Sequence, residues 1–299
     1  MKSIFIVKRY PHMKKIKAFL ELTRIDHAIM LCLAILIGAL IAEGNASIKT
    51  YIFAFATAIF LEMGTFALND YFDYEVDKKN RRMDRPLVRG DLKPRDALLS
   101  YLIFAPLGLV SSLFVNLTCF FIALLDFVLA TFYDIKLKEI KVAGNFYIAF
   151  TMAIPFVFGA VAVSNEAPAI IIFFAFLAFL SGAGREIIKD IMDFEGDKLR
   201  GTKSFPGYVG IRGAAIFASL LIFSAVIVSF LPYFIKIDAR YYFNNLFLLI
   251  LILSDSMFIF SLYLLKKMEY EKCRKLTLMA MIFALIAFLA GAIDIAFIK

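Results

Sequence analysis

The sequence has no tryptophan, only two histidines (His12 and His27) and only three cysteines in 299 residues. So few histidines leave little room for a haem, a His-ligated zinc or a histidine-based nucleophilic triad. Cys32, Cys119 and Cys273 are odd in number, widely spaced and set in or beside apolar runs, and they read as packing residues without a disulfide. Charge is scarce too: Asp, Glu, Lys and Arg make up 19% of the chain, against about a quarter in soluble domains. A disordered chain, a collagen, a disulfide scaffold and a water-soluble domain are all excluded on these grounds.

What is present is apolar. The chain is 62% hydrophobic with 34 Phe, and its mean hydropathy is +0.82. Apolar runs of about 20 residues, the length that crosses about 30 Å of hydrocarbon as helix, recur along it. They predict nine spans at 25–43, 50–72, 96–115, 117–133, 143–164, 167–190, 211–234, 244–265 and 276–297, the third and fourth separated only at Asn116. The basic N-terminal stretch runs into Glu21, Arg24 and Asp26 without a small-residue cleavage site, and is read as retained rather than as a signal peptide.

The loops are charged asymmetrically. Of 33 Lys and Arg, 29 fall in the N-terminal segment and alternate loops, and only Lys49, Lys236, Arg240 and Lys299 fall on the other side. The positive-inside rule then puts the N-terminus in the cytoplasm and, after nine spans, the C-terminus outside. The basic excess is thus a membrane-surface feature; no nucleic-acid-reading motif accompanies it.

Two acidic motifs stand at the cytoplasmic ends of the second and sixth spans. The first runs Asn69-Asp70-Tyr71-Phe72-Asp73-Tyr74-Glu75-Val76-Asp77, the second Lys189-Asp190-Ile191-Met192-Asp193-Phe194-Glu195-Gly196-Asp197. Each Asp of the second lies 120 positions after its counterpart in the first, and the same offset relates Gly64 to Gly184, Pro86 to Pro206 and Gly90 to Gly210. A weak internal duplication, about 64–90 and 184–210, within a single domain of residues 1–299 is expected.

Positions i, i+3 and i+7 of a helix share roughly 60° of arc, so each motif lines three carboxylates along one face. Such carboxylates repel unless cations sit among them. Mg²⁺ prefers a few carboxylate oxygens together with substrate phosphate oxygens. Two such faces opposed would clamp a magnesium diphosphate. Asn69, Asp70, Asp73 and Asp77 are the candidate ligands of one ion, and Asp190, Asp193 and Asp197 of another.

These paired motifs and the nine spans resemble the UbiA-type intramembrane prenyltransferases, over nearly the whole chain. Arg185 to Asp197, followed by Thr202 and Pro206, looks most like the archaeal branch that builds ether lipids; Leu22-Thr23-Arg24 and Arg85-Pro86 also match family patterns. The resemblance implies an all-α membrane protein, a nine-helix bundle whose cytoplasmic loops cap a central cavity. It also implies Mg²⁺-dependent transfer of a prenyl group from its diphosphate to a lipid acceptor. Its catalytic residues would be Asp73, Asp77, Asp193, Asp197 and Tyr133, and its substrate-binding residues Arg24, Asn69, Arg85, Lys136, Lys138 and Lys203. Arg24 suits the acceptor's phosphate or the diphosphate, while Arg85 and Lys203 would close over the phosphates.

Geranylgeranyl transfer to the hydroxyl of geranylgeranylglyceryl phosphate is the first expectation, and prenylation of an aromatic acid the second. A divalent-cation transporter is disfavoured, since transport sites sit near the bilayer midplane and both motifs lie at helix ends amid Lys and Arg. Glu62, Asp126, Asp255, Asp294 and the Arg185–Glu186–Lys189 group fall inside spans, where ionisable residues usually face a bundle interior. Glu186 is expected to pair with Arg185 or Lys189. Phe66 and Phe72, beside the first motif, are candidates to offer a π-face to an allylic cation. The active site is expected on the cytoplasmic side of the cell membrane.

Overall fold

In hydrocarbon every backbone N–H and C=O must be satisfied within the chain, so long apolar runs become helices. A computed structural model describes residues 11–136, 140–199, 202 and 204–293, and its regular elements are all helical. In order they are α1 (Pro11–Leu22), α2 (Ile25–Ala42), α3 (Ile48–Lys79), α4 (Pro86–Arg89), α5 (Pro94–Leu113), α6 (Leu117–Ile135), α7 (Lys141–Ser164), α8 (Ala169–Leu199), α9 (Phe205–Ser229), α10 (Leu231–Phe234), α11 (Asn245–Lys266) and α12 (Tyr270–Ala292). Among the described residues eight helices are long and apolar enough to cross a membrane. A ninth is counted if Lys14–Leu22 and His27–Ala42, bent by 52°, form one span. Eight of the nine expected spans are therefore present, the first appearing only as part of that bent pair, and residues 294–297 of the last, with Asp294, lie outside the described residues.

Two helices outrun their expected spans. α3 continues to Lys79 and α8 to Leu199, so that a helix of 32 residues reaches about 48 Å, well beyond the hydrocarbon. No proline interrupts either extension, and the i, i+3, i+7 carboxylates ride on it as one face. Beyond α3 the chain turns at Arg81, in the left-handed region, and enters α4 through Pro86 at its first turn. Gly90 ends α4 at φ 76°, while Gly210 breaks α9 at φ 74°, five residues after its own Pro-initiated start. Only glycine takes this conformation without steric cost.

α2 packs on α7, α3 on α5, α8 on α7 and α9, and α11 on α12. The largest buried cluster joins α2, α7, α8, α11 and α12, with Phe174 stacked on Phe288 at 3.9 Å between centroids. Tyr241 is fully buried there and its hydroxyl donates to the Phe288 carbonyl at 2.8 Å. At the C-terminal end of α2, Arg240 donates to the Ile41 carbonyl at 2.6 Å while Asp238 and Glu43 balance its charge at 2.6 and 2.8 Å. A cation on orphan helix carbonyls is stabilising. Arg240→Met should therefore cost about 1–3 kcal/mol, read as a lower melting temperature in detergent with the KM values unchanged.

Candidate active site

The first acidic face meets cations brought by α4 and by the joint between α1 and α2. Asp70 is buried and accepts from Arg85 Nη1 at 3.0 Å and Arg24 Nη2 at 3.3 Å. Asp77, about two turns further out, pairs with Arg85 Nε at 3.5 Å and Arg82 Nη1 at 3.9 Å. Arg24 occupies this place because the chain bends there in the left-handed region at φ 44°. Its guanidinium lies 4.2 Å from the centre of the Phe66 ring. Arg85 is set by α4, whose Pro86 and Leu87 are buried, Leu87 in one cluster with Leu22, Ala67 and Ala97. Asn69 Nδ2 donates to Asp134 Oδ1 of α6 at 2.9 Å.

The second face is held from α7. Asp190 accepts from Asn145 Nδ2 at 2.7 Å and from the Phe205 backbone at 3.2 Å, and Lys141 Nζ stands 3.6 Å away. Lys141 also pairs with Asp197. Asp193 is exposed and Asp73 half-buried. In both halves the start of the helix preceding the acidic one, or the residue just before it, supplies a partner to the innermost Asp: Arg24 for Asp70, Asn145 for Asp190.

Groups beside one motif stand within electrostatic reach of the other. The hydrogen bond to Asp84 raises the Arg82 pKa above its ordinary value; partial burial opposes this, and Asp84, Asp77 and Asp193 of the second motif reinforce it. Tyr133 stands within electrostatic reach of Asp73 in one motif and Asp190 in the other. Its ring lies 5.2 Å from that of Tyr147 and leaves no space for a side chain at Gly144.

Below this polar layer opens a cavity of about 520 Å³, a size usual for small-molecule sites. Arg24, Asn69, Tyr133, Asp134, Arg185, Glu186 and Lys189 line its polar end, and Phe156, Phe158, Leu251 and Phe288 are among the residues of its apolar part. Phe66 lines it as well, whereas Phe72 is 45% exposed. Of the two phenylalanines singled out in the sequence, only Phe66 faces the cavity.

The remaining expected residues divide. Arg85 does close on the first motif. Lys136 is exposed at the end of α6 and outside the cavity lining, and Lys138 and Lys203 lie outside the described residues. Among the described residues no three carboxylate, His or Cys groups converge on a point, because Arg85, Arg82 and Lys141 stand between the carboxylates. The donor set nonetheless suits a hard cation. Asp70 Oδ2 is buried without a hydrogen-bond partner, a costly state for a carboxylate oxygen that a ligand would relieve. Lys141, Asn145 and Asp134 carry no family motif on their own. Their only sequence signal is the i, i+4 spacing of the first two at a helix start and the adjacency of Asp134 to Tyr133.

Residues 31–291 match the UbiA prenyltransferase family. Over 295 residues the chain is 42% identical to the digeranylgeranylglyceryl phosphate synthase of Archaeoglobus fulgidus, covering 97% of this chain and 98% of that one. A solved structure described as digeranylgeranylglyceryl phosphate synthase in membranes superposes with a TM-score of 0.76 at 34% identity, over 94% of this chain and 99% of that one. The fold likeness extends to a UbiA homologue of Archaeoglobus fulgidus bound to DMAPP and Mg²⁺, with TM-score 0.62 and 18% identity over 90% and 98% of the two chains. The chain is a multi-pass membrane protein and belongs to the UbiA prenyltransferase family.

Proposed function

We propose that the protein transfers a geranylgeranyl group from geranylgeranyl diphosphate to the free hydroxyl of geranylgeranylglyceryl phosphate, giving a precursor of archaeal ether lipids. The observation that carries this reading is the pair of helix-borne acidic faces at the polar mouth of one apolar cavity. Its specificity is supported by relatives of that name along nearly the whole chain. Mg²⁺ is the cofactor. Asn69, Asp70, Asp73 and Asp77 would hold one ion and Asp190, Asp193 and Asp197 another, and the ions supply positive charge to the departing diphosphate.

The chain's own residues do the rest. Arg85 and Lys141, each beside two motif carboxylates, swing between Asp and phosphate oxygens and neutralise charge that grows as the bond to the allylic carbon breaks. Tyr133 and Phe66 turn aromatic surface to the cationic carbon. Phe156, Phe158 and Phe288 hold the isoprenoid tail and keep water away. The acceptor oxygen bonds to the allylic carbon while the carbon–oxygen bond to diphosphate breaks with its electron pair. The hydroxyl proton leaves late, to the diphosphate or a motif carboxylate.

The excess of Lys and Arg on this side supports an active site on the cytoplasmic side of the membrane, with the N-terminus on that side too. The positive φ at both Gly90 and Gly210, each following a Pro-initiated start, supports an internal duplication within one domain.

Purified protein given Mg²⁺, labelled geranylgeranyl diphosphate and, in parallel, a prenylated glycerol phosphate and a hydroxybenzoate should yield only the diether phosphate. EDTA should abolish the product and added Mg²⁺ restore it. A prenylated benzoate as the sole product would overturn the reading.

A further inference from the structure

α8 turns Arg185, Glu186 and Lys189 into the cavity. Arg185 precedes Asp190 by five residues and so sits about 7.5 Å deeper along the helix. Glu186 bridges the two cations, accepting from Arg185 Nη1 at 3.3 Å and from Lys189 Nζ at 2.6 Å. Within this α8 group two cations share one carboxylate, and Arg185 Nε is buried without a hydrogen-bond partner. Arg274 of α12 adds to the field at Arg185. A pair alone would suffice to glue helices; a surplus cation inside a membrane bundle is costly and marks a functional site. The other guanidinium lining the cavity, that of Arg24, is already bound to Asp70.

The acceptor in the proposed reaction brings a phosphate monoester on the carbon next to the one bearing its reacting hydroxyl. That phosphate must stand beside the reacting carbon while the donor diphosphate fills the acidic clamp. Two anions so close repel unless each has its own cations. On the α8 side of the cavity Arg185 and Lys189 offer such cations, while the carboxylates of Glu62, Asp126 and Asp255 come from α3, α6 and α11. We infer that Arg185 and Lys189 bind the phosphate of the acceptor lipid and set the preference for a phosphorylated acceptor. This rests on the proposed function.

The test compares geranylgeranylglyceryl phosphate with unphosphorylated geranylgeranylglycerol, using labelled donor and Mg²⁺. In Arg185→Gln and Lys189→Gln the KM for the phosphorylated acceptor should rise by about 10-fold or more, the scale of one charge-assisted hydrogen bond. The donor KM should stay within about two-fold. Preference for the phosphorylated acceptor should fall by the same factor, and Arg185→Lys should keep most of it. Lys189 is 38% exposed, so its variant reports even where the Arg185 change harms folding. Variants that keep the wild-type preference, or that raise both KM values equally, overturn this inference while the proposed function stands. A wild-type protein that accepts neither glycerol lipid overturns both.

Discussion

Asp193→Ala should lower kcat/KM by about 10³-fold, close to 4 kcal/mol of transition-state stabilisation, with no measurable change in melting temperature. The two halves of that expectation have separate causes. Asp193 is exposed on α8, so nothing packed depends on it. It stands within electrostatic reach of Arg82 and is one of the carboxylates proposed to hold a metal ion. Asp73, at the matching register of α3, should behave alike in Asp73→Ala.

Asp70→Ala makes the contrast. Asp70 is buried against Arg24 and Arg85, and removing one member of a buried ion pair leaves the others uncompensated, at about 3–5 kcal/mol. That variant should lose stability as well as activity. Wild-type turnover in both Asp73→Ala and Asp193→Ala would sink the metal assignment. Activity assays beside thermal melting in detergent decide between the outcomes.

The second large effect is structural. Gly159→Leu should lower stability by at least about 3 kcal/mol, beyond the usual cost of overpacking. At Gly159 a Cβ would collide with the carbonyl of Ile35, and at Gly38 with that of Phe156. Carbonyls, unlike flexible side chains, cannot turn aside. α2 and α7 therefore cross with backbones in contact, a packing that small residues permit in membranes, where dispersion and shape replace the hydrophobic effect.

This crossing also sets the site. α2 begins just after Arg24, and α7 carries Lys141 and Asn145 near its start. Pushing the two helices apart should shift the cations of one acidic face relative to the other. The double variant Gly38→Leu with Gly159→Leu should yield little folded protein, measured as the monodisperse fraction after size exclusion. Recovery at wild-type yield would refute the close crossing.

Much of the site was legible because its signals are local. Asp70, Asp73 and Asp77 share a face by helical periodicity alone, and Arg85 could be placed because it follows the motif by eight residues, directly before Pro86. Lys136 shows the limit. It belongs to a basic loop in the sequence, yet α6 ends with its side chain exposed and away from the cavity.

By itself the sequence determined the membrane class, eight of the spans and the register of the two acidic faces. Each follows from hydropathy over about 20 residues or from the 3.6-residue repeat. Tertiary structure decided the partners: Arg24 and Arg85 on Asp70, Asn145 and Lys141 on Asp190, Arg185 and Lys189 on the cavity wall, and the α2–α7 crossing. The physical reason is that lipid is as apolar as the bundle core. A phenylalanine lining the substrate cavity and one facing acyl chains have the same hydropathy, so only the packed helices tell them apart.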